Sequence, residues 1–464
     1  MAGLEDAGRK AGELNQHGCS MTGFAFQIMD LTGPDFAVVI FGERDCVSAF
    51  PRISSEFASQ PAWNVYSVAL RESDVVAGRA SERLRECLVA VAASMRPPVV
   101  EQPVVQGAAV VVQSIARHPS PVIVVLSTCM SEMTGAVAEQ VCRQVQEGSG
   151  VRIIPVATSG LRLRTQAEIV DHVAAVLLDA FGDFGTVDPA GVNLIGYQTD
   201  RFSQAAEAGT MFPDEASLLI SAFGGRLNSA VAAGASVSDW RNLPRGGLNV
   251  LVDRSLVGGL ARLLEGQGRR FVQLAQPKGV AASDSFYAAI AREIGSDAWP
   301  VLENFQPRLE AIQAVARARA RFSGMRLAYG IGTIHNFRPD VLAREGLDNL
   351  PLFLELGFDV EIVIQERDYP EVHRRIRRNL ELLGVDAPYR LYYEPAVLEP
   401  ALREGRYDCA YVADFMRDQV NRAGIPMLRL GEMNSGYRLA EKYIGRIEET
   451  LGAVFDRRFG RYFH

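Results

Sequence analysis

Short apolar runs separated by glycine-bearing turns set the pattern of this chain. Val122-Ile123-Val124-Val125-Leu126 is the plainest of them, mostly β-branched and without a polar residue. A run that short and unbroken predicts a strand buried on both faces, as in a parallel sheet. Phe36-Ala37-Val38-Val39-Ile40 and Val151-Arg152-Ile153-Ile154-Pro155-Val156 repeat it, ending at Phe41-Gly42 and at Ala157-Thr158-Ser159-Gly160. Between these runs the period becomes helical. Residues 81–95 put Leu84, Cys87, Leu88 and Val91 on one face. Residues 136–147 put Val137, Val141 and Val145 on one stripe with Cys142 beside it, and residues 165–180 read as a further helix. Strands alternating with helices of this length predict parallel βαβ units.

The alternation resumes twice. Phe181-Gly182-Asp183-Phe184-Gly185 reads as a boundary, after which Val192–Tyr197, Leu248–Val252 and a helix from Leu256 to Gly266 form a second unit. A connector at 305–322, rich in Ala and Arg, leads to a third unit opening at Arg326–Gly332. Its strands fall at 359–364, 389–393 and 408–412, followed by Ile425–Leu430 and a terminal helix over 434–452. The expected architecture is α/β, three doubly wound (Rossmann-like) domains with mostly parallel sheets. Their expected limits are residues 1–182, 183–322 and 323–464, the last with the C-terminal helix. A chain of 464 residues exceeds what one core can serve.

Composition narrows the function. With 48% hydrophobic and 22% charged residues the chain has the make-up of a soluble globular protein. A net charge of −7 argues against a general nucleic-acid binder, which would carry a basic stripe. No apolar run approaches the roughly 18 residues of a membrane span. The N-terminus lacks an apolar signal core, so a cytoplasmic location is expected. Six cysteines in so long a chain, in a reducing compartment, point away from a disulfide framework. There is no Gly-x-x-x-x-Gly-Lys-[Ser/Thr] loop, so the chain should not hydrolyse nucleotide itself. Gly330-Ile331-Gly332 lacks the third glycine of a dinucleotide fingerprint, since His335 stands there. Arg374-Arg375-Ile376-Arg377-Arg378 reads as a solvated helix face.

Candidate chemistry gathers on three cysteines placed on turns. Cys129 stands where the strand 122–126 turns, through Ser127 and Thr128, into a helix starting near Met130. Cys46 closes Phe41-Gly42-Glu43-Arg44-Asp45-Cys46 after another strand, and Cys19 lies in His17-Gly18-Cys19-Ser20. The carboxyl edge of an open α/β sheet is where ligands bind, and a thiol there faces the positive end of the next helix. Cys87, Cys142 and Cys409 fall inside helix or strand patterns and read as core. His17 is a possible auxiliary ligand, and His335 on a post-strand loop could touch one. On local pattern alone the three turn cysteines stay open between ligands and ordinary buried thiols. Free cysteine is commonly buried, and no Cys-x-x-Cys pair is present.

Several segments together resemble a known family. They are Cys19-Ser20-Met21-Thr22-Gly23, Gly42-Glu43-Arg44-Asp45-Cys46, the buried strand with Ser127-Thr128-Cys129-Met130-Ser131-Glu132-Met133-Thr134-Gly135, and Val156-Ala157-Thr158-Ser159-Gly160. The arrangement is similar to component 1 of nitrogenase and its relatives, nearest to the β-type subunit. The likeness is strong over residues 17–180 and looser later, where Gly424–Arg429 and Gly436-Tyr437 are similar to the family's C-terminal segment. It implies that Cys19, Cys46 and Cys129 are a half-set of ligands for an iron–sulfur cluster at a subunit interface. Ser159 or Thr158 falls roughly where the β subunit places an auxiliary hydroxyl ligand, a turn-forming Ser being the other reading. Three cysteines from each side would suit an [8Fe-7S] P-cluster-like centre. Three with one from a partner would suit a [4Fe-4S] cube, as in light-independent protochlorophyllide reductases.

The resemblance also implies partners. An α-type catalytic subunit would complete an α2β2 heterotetramer, and an ATP-dependent iron–sulfur reductase would dock on it as electron donor. No membrane or nucleic acid is implied. The family's catalytic subunit holds its active-site cofactor with a Cys and a His, and Leu251–Ser255 and Arg429–Asn434 here contain neither. Binding of that cofactor is therefore expected in the partner, with no catalytic residue in this chain. The His-rich segment of the β subunit proper is also missing, which favours a nitrogenase-like reductase of another substrate. The methylthio-alkane reductase type, cleaving carbon–sulfur bonds, is the leading specific reading. A protochlorophyllide reductase-type subunit, a dinitrogen-reducing β subunit, a cofactor-assembly scaffold and a non-redox α/β binding protein are the alternatives.

Overall fold

The computed structural model describes residues 31–33, 35–43, 65–95, 101–106, 109–114, 121–133, 138–159, 162–163, 166–197, 214–231, 234–252, 254–332, 347, 349–365, 370–392, 394–412, 416–429, 436–438 and 440–452. The chain divides into two compact units, residues 1–182 with 234–241, and residues 183–233 with 242–464.

In the first unit, strands β1 (Phe36–Glu43), β2 (Val65–Leu70), β5 (Val122–Ser127) and β6 (Arg152–Ala157) form one parallel sheet. Its order is β2-β1-β5-β6. Between β2 and β5 a separate antiparallel hairpin pairs β3 (Glu101–Gln106) with β4 (Ala109–Ser114). All six residues of β5 are buried, as its unbroken apolar run predicts for a strand covered on both faces. The helices Ala80–Met95 and Ala138–Ser149 lay Leu84, Leu88, Val91, Val141, Cys142 and Val145 on one side of the sheet. Each such side chain contributes roughly 1.5–3 kcal/mol on burial. Residues 234–241 belong to this unit. Trp240 is fully buried and its Nε1 donates to the Leu31 carbonyl at 2.9 Å, while the Val237 N–H donates to the Asp35 carboxylate at 2.8 Å.

The second unit holds two further parallel sheets. Strands β7 (Asp188–Ile195), β8 (Arg226–Val231), β9 (Gly246–Leu251) and β10 (Arg270–Gln273) lie in the order β10-β9-β7-β8. Strands β11 (Arg326–Gly332), β12 (Asp359–Gln365), β13 (Tyr389–Tyr392), β14 (Cys409–Val412) and β15 (Met427–Arg429) lie in the order β13-β12-β11-β14-β15. One apolar core, from Val192 and Leu248 to Leu327 and Ile362, serves both sheets. All three sheets reverse direction of growth at their middle, so the fold is α/β, doubly wound and mostly parallel.

The connector expected at 305–322 is the helix Gln306–Phe322, and it is a core helix. Ala311, Ala314, Val315, Ala318 and Phe322 are buried, Phe322 stacked on Phe358 with centroids 4.9 Å apart. Its outer face carries Arg317 and Arg321, paired with Glu441 and Glu448 of the terminal helix at 3.2 and 2.7 Å. That terminal helix runs Ala440–Gly452, shorter than the expected 434–452. The reason lies at 436–438, where Gly436 takes φ +94 and the chain is held by a carboxylate instead of by helical bonds. Glu215, 8% exposed, accepts the Tyr437 N–H at 3.0 and 2.9 Å, the Arg438 N–H at 2.9 Å and the Tyr287 hydroxyl at 3.1 Å. A Cβ on Gly436 would meet that carboxylate. Burial raises the Glu215 pKa, against the pull of the two backbone N–H groups.

An amide ladder crosses the first of these two sheets. Asn228 Nδ2 donates to Asn193 Oδ1 at 2.8 Å, Asn193 Nδ2 to Asn249 Oδ1 at 2.8 Å, and Asn249 Nδ2 to the Arg270 carbonyl at 3.1 Å. Asn193 and Asn249 are fully buried. Gly246 leaves room for the Asn193 amide, which a Cβ there would overlap. In the other sheet, the exposed Arg374, Arg377 and Arg378 surround buried Ile376 on the helix Pro370–Leu383, as a solvated face should.

Candidate metal centre at a strand-end crevice

Winding order fixes where the first sheet opens. From β1 the chain moves to β2 on one side, and from β5 to β6 on the other, so the reversal lies between β1 and β5. The point where strand order reverses is where an open α/β sheet generally receives a ligand. β1 ends at Glu43, three residues before Cys46 in sequence, and β5 ends at Ser127, two before Cys129.

Cys129 is the first residue of a five-residue helix, Cys129–Met133, and is half-buried. It was expected just ahead of a helix starting near Met130, a difference of one residue within the usual scatter of helix ends. The turn that delivers it is tightly specified. The Thr128 N–H donates to the Phe41 carbonyl at 2.9 Å, so Thr128 extends the β1–β5 pairing by one step. The Ser131 hydroxyl donates to the Thr128 carbonyl at 2.8 Å. Gly42 is required opposite Thr128, because a Cβ at Gly42 would overlap the Thr128 side chain.

β6 ends beside β5, on the side away from β1. Ser127 is in register with Ala157, and both the N–H and the hydroxyl of Thr158 donate to the Ser127 carbonyl, at 3.1 and 2.9 Å. Cys129 and Ser159 therefore each stand two residues beyond a registered pair. Ser159 is fully buried, and its carbonyl accepts the N–H groups of Arg162 and Leu163, both at 3.0 Å. The strand ends here are rich in buried hydroxyls: Ser127, Thr128, Ser131, Thr158 and Ser159 are 6%, 1%, 1%, 2% and 0% exposed. Thr128 Oγ1 has no hydrogen-bond partner among the described residues. Glu132, one turn along from Cys129, pairs with Arg162 at 3.3 Å through one oxygen.

Among the sequence candidates, the structure places Cys129 and Ser159 at this strand-end edge. Cys19 and Cys46, with His17, His335 and residues 430–434, lie outside the described residues. Among the described residues no three His, Cys, Asp or Glu side chains come together as a metal site. Cys142 is core, 1% exposed, and burial pushes its thiol up to about 12. Cys409 is fully buried in β14. Cys87 is half-buried, packed against the same core as Cys142, and desolvation raises its pKa too. Sequence reasoning passed over Thr128 as a mere end to the apolar run. Its signal was its place directly before the cysteine of a strand-end motif.

Three doubly wound parallel sheets, the first with a half-buried thiol and several buried hydroxyls just beyond the ends of β5 and β6, define an α/β protein. A family model for nitrogenase component 1 type oxidoreductases matches residues 108–450, and the chain belongs to that family. The matched span contains Cys129 and Ser159 and begins after Cys19 and Cys46. Among solved structures, a chain described as nitrogenase Cp1 at pH 6.5 superposes with a TM-score of 0.65 and 14% identity, over 94% of this chain and 92% of that one. Nitrogenase Cp1 at pH 5 gives 0.67 and 14%, over 95% and 89%. At that identity the likeness is one of fold. No curated protein sequence matches. No helix among the described residues is long and apolar enough to cross a membrane.

Proposed function

We propose that this chain is the β-type subunit of a nitrogenase-like reductase and holds an iron–sulfur centre at the interface with an α-type catalytic subunit. The observation that carries the reading is Cys129, half-buried and presented among buried hydroxyls at the β1–β5 reversal. The donor chemistry suits the group, a half-buried thiol beside buried hydroxyls. Cys19, Cys46 and Cys129 are the ligands in this reading, with Ser159 as an auxiliary oxygen. The cluster is [8Fe-7S] P-cluster-like, or [4Fe-4S] if the partner gives a single ligand. When bound, it would supply a one-electron station between an ATP-dependent iron–sulfur reductase and a cofactor in the partner.

The chain's own residues do the holding. Gly42 lets Thr128 seat against β1, which fixes the start of the Cys129 turn. Thr158 ties the end of β6 to Ser127 and so positions Ser159. The apolar strands behind keep water from the inner face. The α2β2 assembly and cytoplasmic location belong to the same proposal. So does the substrate class: the missing His-rich segment favours a substrate other than dinitrogen, and among such reductases the leading reading is reductive cleavage of carbon–sulfur bonds in methylthio-alkanes.

Anaerobic co-purification with the partner tests this reading. The complex should contain iron and acid-labile sulfide, and Cys129→Ala should strip most of both, while Cys87→Ala leaves them unchanged. Equal iron in Cys129→Ala and wild type would end the assignment. Turnover of a methylthio-alkane by the reconstituted complex separates an enzyme from an assembly scaffold.

A further inference from the structure

Thr128 is the residue at this edge whose chemistry the holding role leaves unused. It is 1% exposed, yet its Oγ1 meets no acceptor or donor among the described residues. An unpartnered buried hydroxyl costs roughly 1–3 kcal/mol, so its retention calls for a function. Of the polar groups around it, Glu132 Oε1 is likewise buried without a partner, while its other oxygen pairs with Arg162. Ser131 donates to the Thr128 carbonyl and Thr158 to the Ser127 carbonyl. Packing does not explain the hydroxyl either, since the side chain fits only because position 42 is glycine. Valine has the same shape there and would bring no unsatisfied group. The Thr128 side chain lies against Gly42 of β1, and the next residue in the chain is Cys129.

We infer that the Thr128 hydroxyl is a positioning and tuning residue that donates a hydrogen bond to sulfur of the group bound through Cys129. The inference rests on the iron–sulfur reading above. A donor to sulfur stabilises the more negative, reduced state, because electron density on the sulfurs grows as the cluster gains its electron. Thr128 thereby holds the reduction potential higher than the thiolate set alone would. One such hydrogen bond corresponds to about a tenfold change in the reduction equilibrium. For a one-electron couple that is about 59 mV.

The test uses the complex with its partner, purified without oxygen, as wild type, Thr128→Val and Thr128→Ser. Iron and sulfide are measured first, then the midpoint potential by spectroscopically monitored redox titration. Thr128→Val should keep wild-type iron and sulfide and titrate at a lower potential by about the tenfold equivalent, while Thr128→Ser returns to the wild-type value. Loss of iron in Thr128→Val alone, with Thr128→Ser intact, would also support a hydroxyl contact. An unchanged potential in Thr128→Val, or equal effects of Val and Ser, would overturn the inference while leaving the iron–sulfur reading standing. A wild-type complex without iron or sulfide would remove both.

Discussion

Glu215 offers the sharpest test of how the second unit is held together. Its carboxylate gathers the N–H groups of Tyr437 and Arg438 and the Tyr287 hydroxyl, joining positions 222 residues apart in sequence. Glu215→Ala removes the acceptor of both N–H groups, while the Tyr287 hydroxyl also bonds Tyr197. Arg438 is exposed and its N–H can turn to water, but Tyr437 is 1% exposed. The stranded Tyr437 N–H costs roughly 1–3 kcal/mol, so a net loss of about 2 kcal/mol is expected. At 2–4 °C per kcal/mol that lowers the unit's melting transition by roughly 4–8 °C. Hydrogen exchange over 436–438 gives the local readout, with protection lost in the variant. Glu441→Ala is the control, since Glu441 is 67% exposed in its pair with Arg317 and should shift melting little. The pH dependence has a fixed sign. Burial makes the Glu215 carboxyl more basic in the folded state, so its support is complete below the unfolded pKa and fades as pH rises through the folded one. The gap between wild type and Glu215→Ala should therefore narrow as pH rises above the ordinary glutamate value. Melting within about 2 °C of wild type at pH 5, with 436–438 still protected, would refute the reasoning.

Two further outcomes follow from local geometry. Glu361 accepts from Arg390 at 2.5 Å, Arg326 at 3.2 Å and the Tyr407 hydroxyl at 2.6 Å. Burial would raise its pKa, but these donors outweigh it and the net shift is downward. Glu361→Gln should cost about 1 kcal/mol at pH 7 after solvent screening, a gap that closes as pH falls below the ordinary carboxylate value, read by urea midpoints at each pH. Gly42→Ala should cost about 1–3 kcal/mol through overlap with Thr128, and Thr128→Ala in the same chain should recover part of it. Strict additivity of the two would mean that the strand ends do not meet as described.

Much of the first unit was readable from side-chain order because its strands are buried on both faces. Val122–Ser127 needs no alternation to be recognised, and the Val141, Cys142 and Val145 stripe identified both a helix and an inert thiol. The edge strands were not readable. Val65–Leu70 carries exposed Ser67 and Ala69, and Arg270–Gln273 is four residues long with two exposed. β8, with Asn228 and Ser229 inside it, looks polar, yet Ser229, Ala230 and Val231 are buried and Asn228 joins the amide ladder. At the candidate site, the Cys129 turn was legible in the Ser-Thr-Cys order. The need for Gly42 opposite Thr128 was not, since 86 residues separate them and only the β1–β5 register brings them together. Nor does any local pattern announce Glu215, two of whose partners, Tyr437 and Arg438, lie at the far end of the chain.

The asparagine ladder bears on how this fold avoids mispairing. Valine-rich parallel strands can slide past one another by two residues and still bury similar surface. Here a slide would strand four or more amide groups in a dry interior, a loss of several kcal/mol that oily side chains alone could not impose. Replacing Asn193 and Asn249 together by leucine could thus give a sheet equally stable in sum yet divided among alignments, and everything attached to its strand ends would inherit that blur.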